Sequence, residues 1–388
     1  MKYNFDKIIN RKNTNSVKYD GALQWGMPEN VLPFWVADMD FQSPPCVIDA
    51  LVEKSRHGIF GYSAIDDDFR NVLINWFQKR FNWQLDSDWL VQTPGVVNAI
   101  YTAVRAFTEP GDAVMIQQPV YYPFQAAIER TGRHLTVNQL IFKDNQYYMD
   151  INDFEAKIIT NKVKLFILCS PHNPVGRVWE TDELEQIGDI CLRHNVIVIS
   201  DEIHADFVYP GNIHTVFANI KPEFNDISIT CTSPSKTFNL AGLQLSNVFI
   251  ANKELRKLFR KECEKSGVGP ISIMGIVACQ ASYTNGEEWL TELLIYLEEN
   301  LAFMRNHLSG IEQIKLIEPE GTYLAWLDCR GAKLNAEELN NVIIHKAGLW
   351  LDDGPIFGKG GEGFQRINYA CPQSLLSTCL DKLINALK

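Results

Sequence analysis

Three short segments carry residue types that can do chemistry, and each follows an apolar run. Lys164–Cys169 is followed by Ser170-Pro-His-Asn173-Pro-Val-Gly176. Asn195–Ser200 is followed by Asp201-Glu-Ile-His204, and Ile227–Thr232 by Ser233-Pro-Ser235-Lys236. In order they offer an amide, a carboxylate with an imidazole, and a lysine flanked by hydroxyls. Tyr121 stands in the same relation to the run Ala113–Gln117. Such groups suit one small, polar, aromatic ligand. Singly, each has a plainer reading. Asn-Pro starts turns, an Asp after a strand caps helices, and a lone lysine is a solvated surface residue. The ordered recurrence at the ends of apolar runs favours a shared site.

The elements that must position these groups follow from periodicity. Strand-sized apolar runs alternate with helical patterns at 96–107 and 182–194. Nearly unbroken apolar strands of this kind predict a mostly parallel sheet covered on both faces, and in such sheets ligands bind beyond the carboxyl ends of the strands. Upstream, Pro45 opens a predicted helix through Arg56. Phe69, Val72, Leu73, Trp76 and Phe77 recur at helical spacing within a predicted helix over 66–81. The first twenty residues read as a polar arm or extended lead-in. After about Gly286 the rhythm changes to a long helix over 289–307, a strand at 324–327, a helix near 337–346 and a Gly-rich stretch. The expected fold is α/β: a large domain over 48–285, and a smaller α+β domain from 1–47 with 286–388.

Composition excludes several classes. Of 388 residues, 46% are hydrophobic and 21% charged, which rules out a disordered or low-complexity chain. The formal net charge of −11 argues against nucleic acid and anionic lipid as partners. No apolar run approaches the ~20 residues that span a bilayer, and the N-terminus lacks a signal-peptide core. The 9 cysteines are scattered, with no Cys-x-x-Cys pair, so neither a disulfide framework nor a metal site is expected. A reduced, cytoplasmic protein is the expectation.

The motifs TPG, PVYY, SPHNPVG, SDEIHAD, SPSKTFNLAGLQ and RINYACP, in that order, resemble fold-type I pyridoxal-phosphate enzymes of the aminotransferase class I/II superfamily. The blocks NRKNTNSVKYD, LPFWVADMDF, HGIFGYS and DDGPIFGKGGEGFQRINYACP are similar to its C–S lyase branch, the MalY/PatB-type cystathionine β-lyases. The likeness spans nearly the whole chain.

The resemblance implies roles residue by residue. Lys236 matches the Schiff-base lysine; an amine must be neutral to condense with an aldehyde, and burial or nearby positive charge achieves that. Asp201 matches the carboxylate that pairs with the pyridine nitrogen. Asn173 and His204 fall where the family contacts the ring's phenolic oxygen, with His where most aminotransferases have Tyr. Tyr121 matches the ring-stacking aromatic. Gly95 and Val96, at a helix start, with Ser233 and Ser235, match the phosphate contacts. Tyr62 matches a tyrosine that reaches the neighbouring subunit's phosphate, which implies a homodimer with shared active sites. Arg366 matches the arginine that binds the substrate α-carboxylate. One departure stands out: many relatives carry Arg eight residues after the lysine, where this chain has Gln244. The implied activity is β-elimination of cystathionine, cysteine or related thioethers to a thiol, pyruvate and ammonia. An aminotransferase on the same cofactor, or a regulatory protein of this fold, are the alternatives.

Overall fold

The structure is a computed structural model that describes residues 1–388. Its centre is a seven-stranded sheet. The strands lie in the order Leu90–Thr93, Ser246–Phe249, Ser228–Thr232, Ile197–Asp201, Leu165–Cys169, Ala113–Gln118 and His134–Gln139. All pairs are parallel except those of Ser246–Phe249, which is antiparallel to both neighbours. Successive residues point to opposite faces, and both faces are buried. Ile167, Ile199, Ile229 and Val248 pack with helices Val96–Phe107 and Lys253–Lys265. Met115, Phe166, Leu168 and Val198 pack on the other side with helices Ile151–Asn161 and Thr181–Arg193. Unbroken apolar strands therefore read correctly as the middle of a doubly covered sheet.

Register decides what this sheet can do. Cys169 pairs with Asp201, and Asp201 pairs with Cys231. The three central strands thus end level, and the segments after them emerge side by side. Asp201 is the last residue of its strand, which begins at Ile197 because Asn195 sits in the left-handed region at φ +55° and turns the chain.

A second, antiparallel sheet runs Lys315–Ile317, Leu324–Asp328, Phe364–Asn368, Asp352–Asp353. The helices Glu287–Leu308 and Gln373–Leu387 join the apolar cluster beneath it. The predicted helix near 337–346 is only α-helical over Ala336–Asn341 and continues as a π-turn through Lys346, where the Ala347 N–H reaches the Val342 carbonyl.

The stretch 32–41 bridges the two sheets. Leu32–Pro33 pairs in parallel with Leu349–Trp350, and Trp35 stacks on Trp350 at 4.2 Å. Amide side chains fasten the residues after Trp35: Asn368 donates to the carbonyls of Val36 and Asp38, and Asn239 to those of Met39 and Phe41. The lead-in is not simply extended. It contains a helical turn at Val17–Asp20 whose Lys18 is fully buried, donating to Asp40 (2.9 Å) and to the Asp38 carbonyl. No helix is long and apolar enough to cross a membrane.

Candidate active site

A cavity of about 450 Å³ opens at the level ends of the central strands. Gly95, Val96, Tyr121, Asn173, Asp201, His204, Ser235 and Lys236 line it, as does Gln244. Residues spread over some 150 positions of sequence meet here because each follows a strand of one sheet.

Lys236 lies on the single helical turn Pro234–Thr237. Ser233 holds that turn: its hydroxyl accepts the Ser235 N–H at 3.1 Å and donates to the Leu245 carbonyl at 2.7 Å. Ser233 is therefore engaged in the frame and does not line the cavity, while the Ser235 hydroxyl does. The Lys236 amine donates to the Ala37 carbonyl at 2.7 Å. Desolvation in the cavity lowers its pKa to about 8, with Asp38 opposing and Arg366 assisting. Roughly a tenth of the amine is then neutral at pH 7, far more than for a solvated lysine, and the neutral form is the one a nucleophile or proton acceptor requires.

Asp201 is buried at 4% exposure and makes no ion pair; its carboxylate accepts only the Ile203 N–H, at 3.2 Å. Burial raises its pKa to about 7, partly offset by that N–H and by Lys236. A carboxylate so short of partners fits a ligand that brings its own protonated nitrogen. His204 is neutral, held well below the usual imidazole range by burial and by the positive Lys236 and Arg366. Its Nδ1 is buried without a partner, a second polar atom that a ligand would satisfy.

Asn173 ties the two sheets together. Its backbone carbonyl accepts the Tyr121 N–H at 3.1 Å, and its side-chain oxygen accepts from Arg366 Nη1 at 3.0 Å. Arg366 itself comes from the second sheet and is buried at 3%. It also donates to the Trp35 carbonyl at 2.7 Å and to Asp352. It touches the cavity through Asn173 and is not part of its lining.

An anion has a ready seat. Gly95, at φ +96°, turns the chain into helix Val96–Phe107, and a Cβ there would be strained in the left-handed region. The helix's first backbone bond runs from the Ala99 N–H to the Gly95 carbonyl, so the amides before it have no intrahelical acceptor. Beside them are the Ser235 hydroxyl and the Gln244 amide. No arginine lines the cavity.

Tyr62 is elsewhere. It is fully exposed, on the loop before helix Asp67–Phe81, in a surface groove with Pro270–Met274. Three participants escape a strand-end reading of the sequence. The Ala37 carbonyl is a backbone group with no residue type to betray it. Tyr323, wholly buried, donates to that same carbonyl at 2.9 Å. Asp352 meets Arg366 across the second sheet, where Asp352 and Arg366 are in register. The last two signals lie in GTYLAW and DDGPIF, both outside the large sheet.

The model of the aminotransferase class I and II family matches residues 29–383. The chain belongs to that family. Within it, the chain is 42% identical to cystathionine beta-lyase PatB of Bacillus subtilis, over 99% of this chain and all of that protein. It is 33% identical to protein MalY of Escherichia coli, over 100% of this chain and 99% of that one. The structure superimposes on cystalysin from Treponema denticola, which contains a pyridoxal 5'-phosphate cofactor, with a TM-score of 0.96 and 39% identity over 100% and 99% of the two chains. Aminotransferase class I and II architecture thus extends through both sheets and the bridging stretch.

Proposed function

We propose that this chain is a pyridoxal-phosphate-dependent C–S β-lyase that releases a thiol, pyruvate and ammonia from cystathionine and related thioether amino acids. The observation that carries this reading is the full-length likeness to PatB, named a cystathionine beta-lyase. The cavity suits the cofactor: a desolvated amine for its aldehyde, an unpaired buried carboxylate for its ring nitrogen, an unpartnered imidazole nitrogen, and free helix amides for its phosphate. When bound, pyridoxal phosphate supplies an electron sink that stabilises the carbanion at the substrate Cα.

The chain's own groups do the rest. Arg366 grips the substrate carboxylate, and Asn173 fixes the guanidinium from behind. Lys236 takes the Cα proton: burial lowers its amine's pKa to about 8, and a single carbonyl holds it in place. Asp201 keeps a proton on the ring nitrogen by offering a buried negative charge. The Cβ–S bond then breaks with its electron pair on sulfur, and the departing thiolate takes up a proton that balances the one Lys236 removed from Cα. The 2-aminoacrylate left behind hydrolyses to pyruvate and ammonia. We further propose that Tyr62 serves a neighbouring chain's phosphate in a twofold homodimer; its full exposure and its place outside this chain's cavity lining support that.

The test is incubation of the purified protein with cystathionine and no keto acid. Sustained release of homocysteine and pyruvate is expected. Turnover that requires a keto acid would make the protein an aminotransferase instead.

A further inference from the structure

Arg366 has five N–H donors, and a carboxylate is gripped by two that lie parallel on one edge. In this structure the donors are unevenly used. Nη1 donates to Asn173 Oδ1 at 3.0 Å. Nη2 donates both its protons, one to the Trp35 carbonyl at 2.7 Å and one to Asp352. Nε is buried with no partner at all. What remains is Nε and a single Nη1 proton, and these do not share an edge. Both edges of the guanidinium include Nη2. A second carboxylate therefore cannot be gripped at two points while Asp352 keeps its place.

Asp352 is well built to hold that place. It is 5% exposed, and strand pairing sets it directly opposite Arg366. It makes no other ion pair. We infer that Asp352 is a resident carboxylate occupying the Arg366 donor that the substrate's α-carboxylate must take, so that substrate binding exchanges one carboxylate for another. This rests on the reading of Arg366 as the substrate-carboxylate group. Asp352 is then a positioning residue acting through Arg366. It keeps the buried guanidinium paired between turnovers and subtracts from substrate affinity.

Protonation gives an independent handle. Burial raises the Asp352 pKa to about 6, against the pull of Arg366. The other titratable groups around it are Asp353, beside it in the strand, and the Tyr121 and Tyr122 phenols. Asp353 is also raised to about 6 by burial, and both phenols are raised by burial and stay neutral in this range. Below about pH 6 Asp352 is neutral and competes weakly; above it, fully.

The experiment titrates the cofactor-loaded protein by absorbance with 2-aminoisobutyrate, which has no Cα hydrogen, and with isopropylamine, its decarboxylated counterpart. The ratio of the two affinities isolates the carboxylate. In the wild type that ratio is expected to be large and to rise as pH falls through about 6. In Asp352→Asn, which keeps an oxygen acceptor without the charge, it is expected to be about fivefold larger at pH 8 and flat with pH. A ratio in Asp352→Asn equal to or below the wild type's would overturn the inference. So would a ratio equal to or below the wild type's in Asp352→Ser, the second variant used if Asp352→Asn does not fold. A wild-type ratio near one, unmoved by Arg366→Gln, would instead refute the role of Arg366 itself.

Discussion

Asp201 gives the sharpest perturbation, because its environment can be interrogated without turnover. In the cofactor-free protein its carboxylate is buried, unpaired by any cation, and shifted from 3.8 to about 7. A shift of roughly three pKa units corresponds to about 4 kcal/mol at 1.36 kcal/mol per unit, as an order of magnitude. The folded state binds the proton more tightly than the unfolded chain. Stability contributed by the protonated form is therefore full below about pH 4 and lost as pH rises to about 7. Asp201→Asn has nothing to ionise and should escape that loss. The assay is urea unfolding of the cofactor-free proteins from pH 4 to 8. The difference between variant and wild type should grow by a few kcal/mol in the variant's favour across that window. Turnover should move the other way: without a negative charge opposite the ring nitrogen, kcat/KM should fall about 10²–10³-fold. Unfolding free energies that stay parallel from pH 4 to 8 would show that Asp201 is not a desolvated carboxylate and would refute its proposed pairing with the ring nitrogen.

Two other outcomes are expected. Mixing Lys236→Ala chains with Tyr62→Phe chains should restore activity above that of either variant alone, because a mixed dimer holds one site with both residues intact; activity that never exceeds the sum of the parents would contradict the shared site. Lys18→Met should destabilise the protein by about 3 kcal/mol in urea, since it removes a cation from the buried Asp40 and leaves only Arg11, at 2.7 Å; a loss under about 1 kcal/mol would mean the charge cluster is not needed to hold residues 38–40.

How far the sequence could be read depended on whether a residue's role is local. The central strands were legible because doubly buried strands are unbroken apolar runs, and Cys169, Asp201 and Cys231 end level once those runs are placed side by side. That alone brings Asn173, Asp201, His204 and Lys236 to one cavity. The strand Ser246–Phe249 was not legible: half its residues, Ser246 and Asn247, are polar, and they are buried against Thr93 and Cys279. Ser233 reads as a cavity hydroxyl by proximity to Lys236, yet its geometry spends it on the turn that carries that lysine. Asp352, Tyr323 and the Ala37 carbonyl were invisible because each matters only through a partner far away in sequence, Arg366 or Lys236. Tyr62 is unlike these; it is fully exposed on a loop and lies outside the cavity lining.

Lys236 is the residue on which the proposed chemistry depends. Borohydride reduction of the cofactor-loaded protein, followed by proteolysis and peptide mapping, locates the lysine that holds the cofactor. The mass tag is expected on Lys236, the only lysine lining the cavity, in the peptide that contains Ser233-Pro-Ser235-Lys236. A tag on any other lysine, or none on a protein that nonetheless releases pyruvate from cystathionine, would contradict it.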